Sequence, residues 1–283
     1  MLPLQQTAGD VRTDMGVDVM PADAAISSRP ANGIKKVALR IGKFWLLALF
    51  IVVWQLISSA NSSLQLLLPP PSAVLTAGWE LLKNGVLLQD IGVSLTRVFT
   101  AVGIAALIGI PLGAALGGIP AFNWSFDPLL EFIRPIPPLA WIPLAILWFG
   151  ISEKEIDFII FLAAFFPIVL NSAAGIRDVD KLVVRAARSL GANPFVVFWT
   201  VYVPSAMSHI ITGIRTGMGI GWMALVAGEL VGATTGLGFL ISQGRMVFRS
   251  DYILLGMVTI GVLGLALDGL IRGISSALMP WKR

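Results

Sequence analysis

The sequence predicts an all-α, polytopic membrane protein with six transmembrane helices and a cytoplasmic two-helix elbow between the fourth and fifth. Three observations carry that expectation. Of the 283 residues, 56% are hydrophobic and only 13% charged, whereas soluble domains carry about 25% charged residues. The mean hydropathy is +0.85. Finally, the apolar residues gather in long runs, interrupted by a polar, basic island at 177–209.

Taken in order, the leader 1–43 mixes Asp, Gly, Pro, Ser and Ala without apolar periodicity and reads as disordered, ending in Lys35, Lys36, Arg40 and Lys43. The membrane domain, 44–283, follows. Its first apolar run, 44–60, ends in Ser-Ser-Ala like a late signal peptide, but the long leader favours an uncleaved anchor. A mouth loop at 66–71 precedes an amphipathic helix at 72–89, lying outside the bilayer or at its surface, with Leu75, Trp79, Leu82 and Val86 on one face. The second span is expected at 98–119, where Gly109 and Gly113 have the spacing that permits close helix packing.

Residues 127–150 contain Pro128, Pro135, Pro137, Pro138 and Pro143, too many for one regular helix. They read as an approach segment followed by a short third span at 139–149. Broken backbone at that depth must be buried in protein or line a wet cavity. A charged hairpin at 152–155 leads to the fourth span, 156–176. The fifth span, 210–231, is glycine-rich, and its Gly217-Met-Gly-Ile-Gly221 run has no preceding strand and is no dinucleotide fingerprint. A loop at 234–251 with a short amphipathic piece, 239–248, joins the sixth span, 252–271. With both termini in the cytoplasm, the inside holds fifteen cations: six in the leader, Arg134, five from Arg177 to Arg215, and three at the C-terminus. The outside holds five: Lys83, Arg97, Lys154, Arg245 and Arg249. That bias orients the chain.

The island is the most informative stretch. Asp178 and Asp180 offer N-caps for a helix from Lys181 to Leu190. On it Leu182, Val183, Ala186, Ala187 and Leu190 share one face, and Lys181, Arg185 and Arg188 the other. Gly191 is placed to end it in the left-handed conformation. After Ala192, Asn193 and Pro194 read as N-cap and first position of a second helix. Its Phe195, Phe198, Trp199 and Tyr202 form an aromatic stripe, and Pro204 is expected to stop it. A basic face with aromatic knobs between spans is the chemistry of a docking handle; an interfacial amphipathic hairpin is the blander alternative.

Other chemistry is sparse. There is no cysteine, one histidine (His209), no phosphate-binding G-x-x-x-x-G-K-[ST] loop and no hydrolase motif. These absences argue against an intramembrane enzyme, a thiol site and a His-rich metal site. The net charge of +4 does not indicate nucleic acid, because the cations flank spans. Glu229 is a buried charge with two open readings: a pore-lining or gate group, or an ion pair near the outer interface. Asp268 with Arg272, and Glu131 with Arg134, read as local pairs. Trp141, Trp148, Trp222 and Met223 are candidates to shape a pathway, although aromatic residues in spans more often simply pack.

The island also carries a family resemblance. Arg185, Ala186, Ala187, Gly191, Val201, Val203 and Pro204 fall on the spacing E-A-A-x3-G-x9-I-x-L-P of permeases of ATP-binding cassette importers, with Arg185 in place of Glu and Val in place of Ile and Leu. LLPPPSAVL (67–75), DIGVSLTRV (90–98), RPIPPLAWIPLAILWFGIS (134–152) and GWMALVAGELVGATTGLGFLI (221–241) resemble the nitrate, sulfonate, taurine and bicarbonate group. Arg185, the Ala-Thr run before Gly236 and the closing Pro280-Trp281 look most like taurine permeases.

The resemblance implies a type I importer permease fold in a bacterial cytoplasmic membrane. It implies a homodimer, two ATPase subunits docked on the elbow, and an extracytoplasmic binding protein that delivers the substrate. No cofactor is expected on this chain; ATP and Mg belong to the ATPase. Competing hypotheses are an ion-coupled secondary transporter, which needs midplane carboxylates or broken half-helices in repeated halves, and a membrane scaffold.

Overall fold

The computed structural model describes residues 32–60 and 62–279. Contacts divide the chain between Ile51 and Val52. The first part of helix α1 (Asn32–Ser59) belongs to one unit. The remainder of α1 and all later helices belong to the other. Helix α1 begins ahead of the expected span at 44, and the earlier leader and the closing Trp281-Lys282-Arg283 lie outside the described residues.

In the second unit, α2 (Ser62–Leu67) leads to α3 (Pro71–Lys83), which Pro71 opens from its first position. Gly85, at φ +74°, turns the chain directly into α4 (Val86–Gly118). The surface helix is therefore shorter than expected, and residues 86–89 already belong to the next one. At 33 residues, α4 extends about 50 Å, well beyond the roughly 30 Å hydrocarbon core. Reading the span from Val98 mistook Asp90, Ser94 and Arg97 for a polar boundary; all three are buried inside the protein.

The proline-rich segment forms α5 (Pro120–Ile133), a 3₁₀ turn at Pro138–Trp141 and α6 (Ile142–Phe149), with a bend of 85° between α5 and the rest. The expected approach segment is thus largely helical, with Pro128 inside α5. The 3₁₀ turn and α6 together rise only about 20 Å, too little to cross the bilayer alone. Among the described residues, four helices are long and apolar enough to cross a membrane: α4, α7 (Glu153–Arg177), the continuous helix Pro194–Gly232, and Ser250–Ala277 of α12 (Ser250–Leu278). Counting α5 with α6 as one broken span gives five, and Trp45–Ser59 of α1 is a shorter apolar helix.

Helix α7 is the centre of the unit, held between α4 and α10 (Val203–Gly232). Glycines make both contacts possible. A Cβ on Gly113 would lie 2.4 Å from the Val169 carbonyl oxygen, and one on Gly117 would lie 2.6 Å from that of Ala173. Across the other face, a Cβ on Gly217 would stand 2.9 Å from the Ala164 carbonyl oxygen. The Gly109–Gly113 spacing therefore does mark a close helix pair, extended by one turn to Gly117. Between α10 and α12 the loop carries α11 (Leu237–Met246), one face of which packs on α12 through Ile241 and Gly256.

Candidate functional site

The elbow forms between the end of α7 and the start of α10 by local rules. Asp180 caps α8 (Lys181–Ser189), its carboxylate accepting from the Leu182 N–H at 2.7 Å. Asp178 instead ends α7 and lies 3.5 Å from His209 Nε2. The C-terminus of α8 closes through two backbone bonds, Gly191 N–H to Arg188 O at 3.0 Å and Ala192 N–H to Ala187 O at 3.1 Å. Gly191 sits at φ +86°, the left-handed residue that this closure requires. Asn193 then caps α9 (Pro194–Val197), accepting from the Val196 N–H at 2.8 Å.

Pro204 does not stop this second helix. A π turn at Phe198–Tyr202, closed by Val203 N–H to Phe198 O, carries α9 into α10. The wider π turn relieves the clash that a proline ring makes with the carbonyl four residues earlier. One continuous 39-residue helix, Pro194–Gly232, therefore joins the elbow to the membrane.

The buried face of α8 also differs from the periodicity. Val184 is its inward residue and packs with Val179 and Val197 in a small satellite core. Leu182, Val183, Ala186 and Leu190 are exposed, Leu190 at 89%, and Ala187 is half-buried. Phe195 and Trp199 are exposed at 72% and 55%, while Phe198 and Tyr202 are half-buried against Ile176, Ala206 and Ile210. Lys181, Arg185 and Arg188 are exposed and join no ion pair among the described residues. The elbow thus presents apolar knobs beside unpaired cations.

The opposite end holds a polar cluster that sequence reasoning did not assemble. Arg97 Nη1 lies 2.9 Å from Glu229 Oε1 and 2.8 Å from the Thr235 carbonyl, and Nη2 lies 3.0 Å from Glu153. Ser94 donates to both Glu229 oxygens and accepts from the Leu237 N–H, while Gly238 N–H donates to Glu229 and Gly236 N–H to Asp90. Asp90, Ser94 and Arg97 stand at i, i+4, i+7, and that spacing was the available signal. Glu229, 1% exposed, lies in the ion pair with Arg97.

The other pathway candidates are dispersed. Trp222 is buried and donates to the Ile260 carbonyl at 3.2 Å. Trp141 packs with Ile142, Ala145 and Ile159, Trp148 stands edge-on to Phe149 and Phe158, and Met223 is 75% exposed. None of them lines the cavity of about 330 Å³ between the bent segment, α7 and α10. Asp268 does pair with Arg272, at 2.7 Å, and also with Arg215 at 2.6 Å. Among the described residues Arg134 forms no pair with Glu131; it stands past the end of α5 and lines that cavity.

Residues 105–280 match the family described as binding-protein-dependent transport system inner membrane component. The chain belongs to this permease family. It is 38% identical over 252 residues to the taurine transport system permease protein TauC of Escherichia coli (strain K12), covering 87% of this chain and 90% of TauC. It is 34% identical to the putative aliphatic sulfonates transport permease protein SsuC of the same strain, over 89% of this chain and 96% of SsuC. It is 32% identical to the nitrate import permease protein NrtB of Synechocystis sp., over 83% of this chain and 85% of NrtB. As a permease of this family, the chain is a transport component of an ATP-binding cassette importer and an all-helical membrane protein.

Proposed function

We propose that this permease forms, as a homodimer, the membrane part of an importer for small sulfonates such as taurine in a bacterial cytoplasmic membrane. Both termini face the cytoplasm, an extracytoplasmic binding protein delivers the substrate, and two ATPase subunits dock on the elbows. The observation that carries this reading is the elbow itself: exposed Leu190 and three unpaired cations on α8, beside exposed Phe195 and Trp199 on a helix that runs unbroken through the length of a span. The names of the relatives, taurine, aliphatic sulfonates and nitrate, support a small oxyanion as cargo.

In this mechanism Phe195 and Trp199 seat in a groove of the ATPase, and Lys181, Arg185 and Arg188 set the docking register through complementary charge. ATP and Mg bind on the ATPase alone. Closure of the ATPase pair moves α8 and α9, and the continuous Pro194–Gly232 helix carries the displacement to the outer cluster around Glu229. Two conformations of similar energy then alternate access to the interior.

The test is co-expression of the chain with candidate cassette ATPases and substrate-binding proteins from the same organism. A complex that copurifies with its ATPase and imports taurine into proteoliposomes when ATP and binding protein are supplied is the expected result. A chain that never copurifies with an ATPase refutes the reading.

A further inference from the structure

Arg134 is the residue that neither the elbow nor the outer cluster uses. It follows the last residue of α5, at the 85° bend, with its N–H bonded to the Leu130 carbonyl at 2.9 Å. Pro135 and Pro137 follow at once and fix the backbone there. Its side chain lines the cavity of about 330 Å³, whose other walls come from α7 between Leu162 and Asn171 and from Thr216 and Ile220 of α10. That part of α7 lies roughly 14–27 Å along a helix whose outer end is Glu153, so the cavity sits at membrane depth, and Arg134, counted from the sequence among the cytoplasmic cations, stands exposed at its wall instead.

Three features of the cavity belong together. Arg134 is its one charged lining residue, and it joins no ion pair among the described residues. A cation at such depth is costly unless it meets water or an anion. Two further polar side chains line the space: the Thr216 hydroxyl, and the Asn171 amide, which spends one N–H on the Pro167 carbonyl at 2.8 Å and keeps another. The remaining walls, including Phe166 and Ile220, are apolar. Its volume falls in the range of about 300–1,000 Å³ typical of small-molecule sites.

We propose that Arg134, with Asn171 and Thr216, is an oxyanion-binding station on the transport route, taking the sulfonate head of a small organic anion while Phe166 and Ile220 meet its alkyl part. The guanidinium fork matches two oxygens of a sulfonate. This rests on the importer reading above, and it names where that cargo is recognised inside the membrane. The proline-bounded turn fixes the backbone at Arg134, and removing its side chain breaks no ion pair among the described residues.

The experiment places the full complex with its ATPase in nanodiscs and titrates ethanesulfonate, with choline as a cation of comparable size, following tryptophan fluorescence. Wild type should bind ethanesulfonate saturably and ignore choline. Arg134→Gln should weaken binding about tenfold or more, equivalent to roughly 1.4 kcal/mol, with Arg134→Lys retaining most of it. Thr216→Val is the second variant and should also weaken binding. No ethanesulfonate binding by wild type, undiminished binding by Arg134→Gln, or equal binding of choline would overturn the site. ATPase copurification in the same samples separates the two claims: an intact complex that binds no sulfonate refutes the station, whereas loss of the ATPase from wild type refutes the importer reading.

Discussion

Arg97 of α4 and Glu229 of α10, 132 residues apart, meet in a buried ion pair of 2.9 Å, with the Glu229 side chain wholly inaccessible. The pair ties α4 to α10 and, through Thr235 and Gly238, to the start of α11, where Asp90 and Ser94 also accept from the Gly236 and Leu237 N–H groups. Removing one partner of a buried pair leaves an uncompensated charge, at a cost of about 3–5 kcal/mol. Arg97→Met should therefore lower the melting temperature of the purified complex sharply. The double variant Arg97→Met/Glu229→Leu should recover much of the loss. Melting of Arg97→Met at the wild-type temperature would show that the pair contributes no stability.

Gly236 is constrained twice. Its φ is +120°, and a Cβ there would stand 2.4 Å from Glu229 Oε1. Gly85 also has positive φ, +74°, but faces open space. Left-handed strain alone is about 1–2 kcal/mol, so Gly85→Ala should be mildly destabilising and Gly236→Ala severely so. Thermal unfolding of the two variants side by side checks this, and equal effects would contradict the packing argument.

Gly191, at φ +86° with nothing within 4 Å, isolates backbone strain from packing. Gly191→Val should leave membrane insertion intact while weakening ATPase copurification, because a β-branched residue resists the left-handed turn. Gly191→Asn should be tolerated better. Full ATPase copurification by Gly191→Val would show that the α8–α9 turn does not set the docking geometry.

The proposed orientation is open to direct labelling. Single cysteines at Ser72 and Thr235 should react with an impermeant thiol reagent in intact cells, and one at Ser189 should not. The native chain has no cysteine to interfere. Labelling at Ser189 would reverse the orientation.

What was legible in the sequence was local. Asp180, Gly191, Asn193 and Pro194 each act on backbone groups within a few residues, so the caps and the turn of the elbow could be read. Charge was misleading where its partner was distant. Asp90, Ser94 and Arg97 looked like the border of a span because Glu229 and Gly236, which satisfy them, come more than a hundred residues later. Periodicity selected the wrong inward residue on α8, since Val184 is buried by Val179 and Val197 from outside that helix. Pro204 was read as a stop because a π turn, which accommodates it, leaves no plain mark in composition. The proline-rich third span foretold a break but not the 85° bend that brings Arg134 to the cavity.

The central claim is that the elbow docks the ATPase, and Arg185 tests it most directly. Arg185 is exposed and unpaired, between Lys181 and Arg188 on the same helix, so its replacement disturbs no internal contact. The measurement is the affinity of the detergent-purified chain for its ATPase, wild type against Arg185→Glu, by titration at fixed salt. Docking through complementary charge predicts a loss of about tenfold or more for Arg185→Glu, with ATP hydrolysis no longer stimulated by loaded binding protein. Unchanged affinity together with fully stimulated hydrolysis would contradict the account.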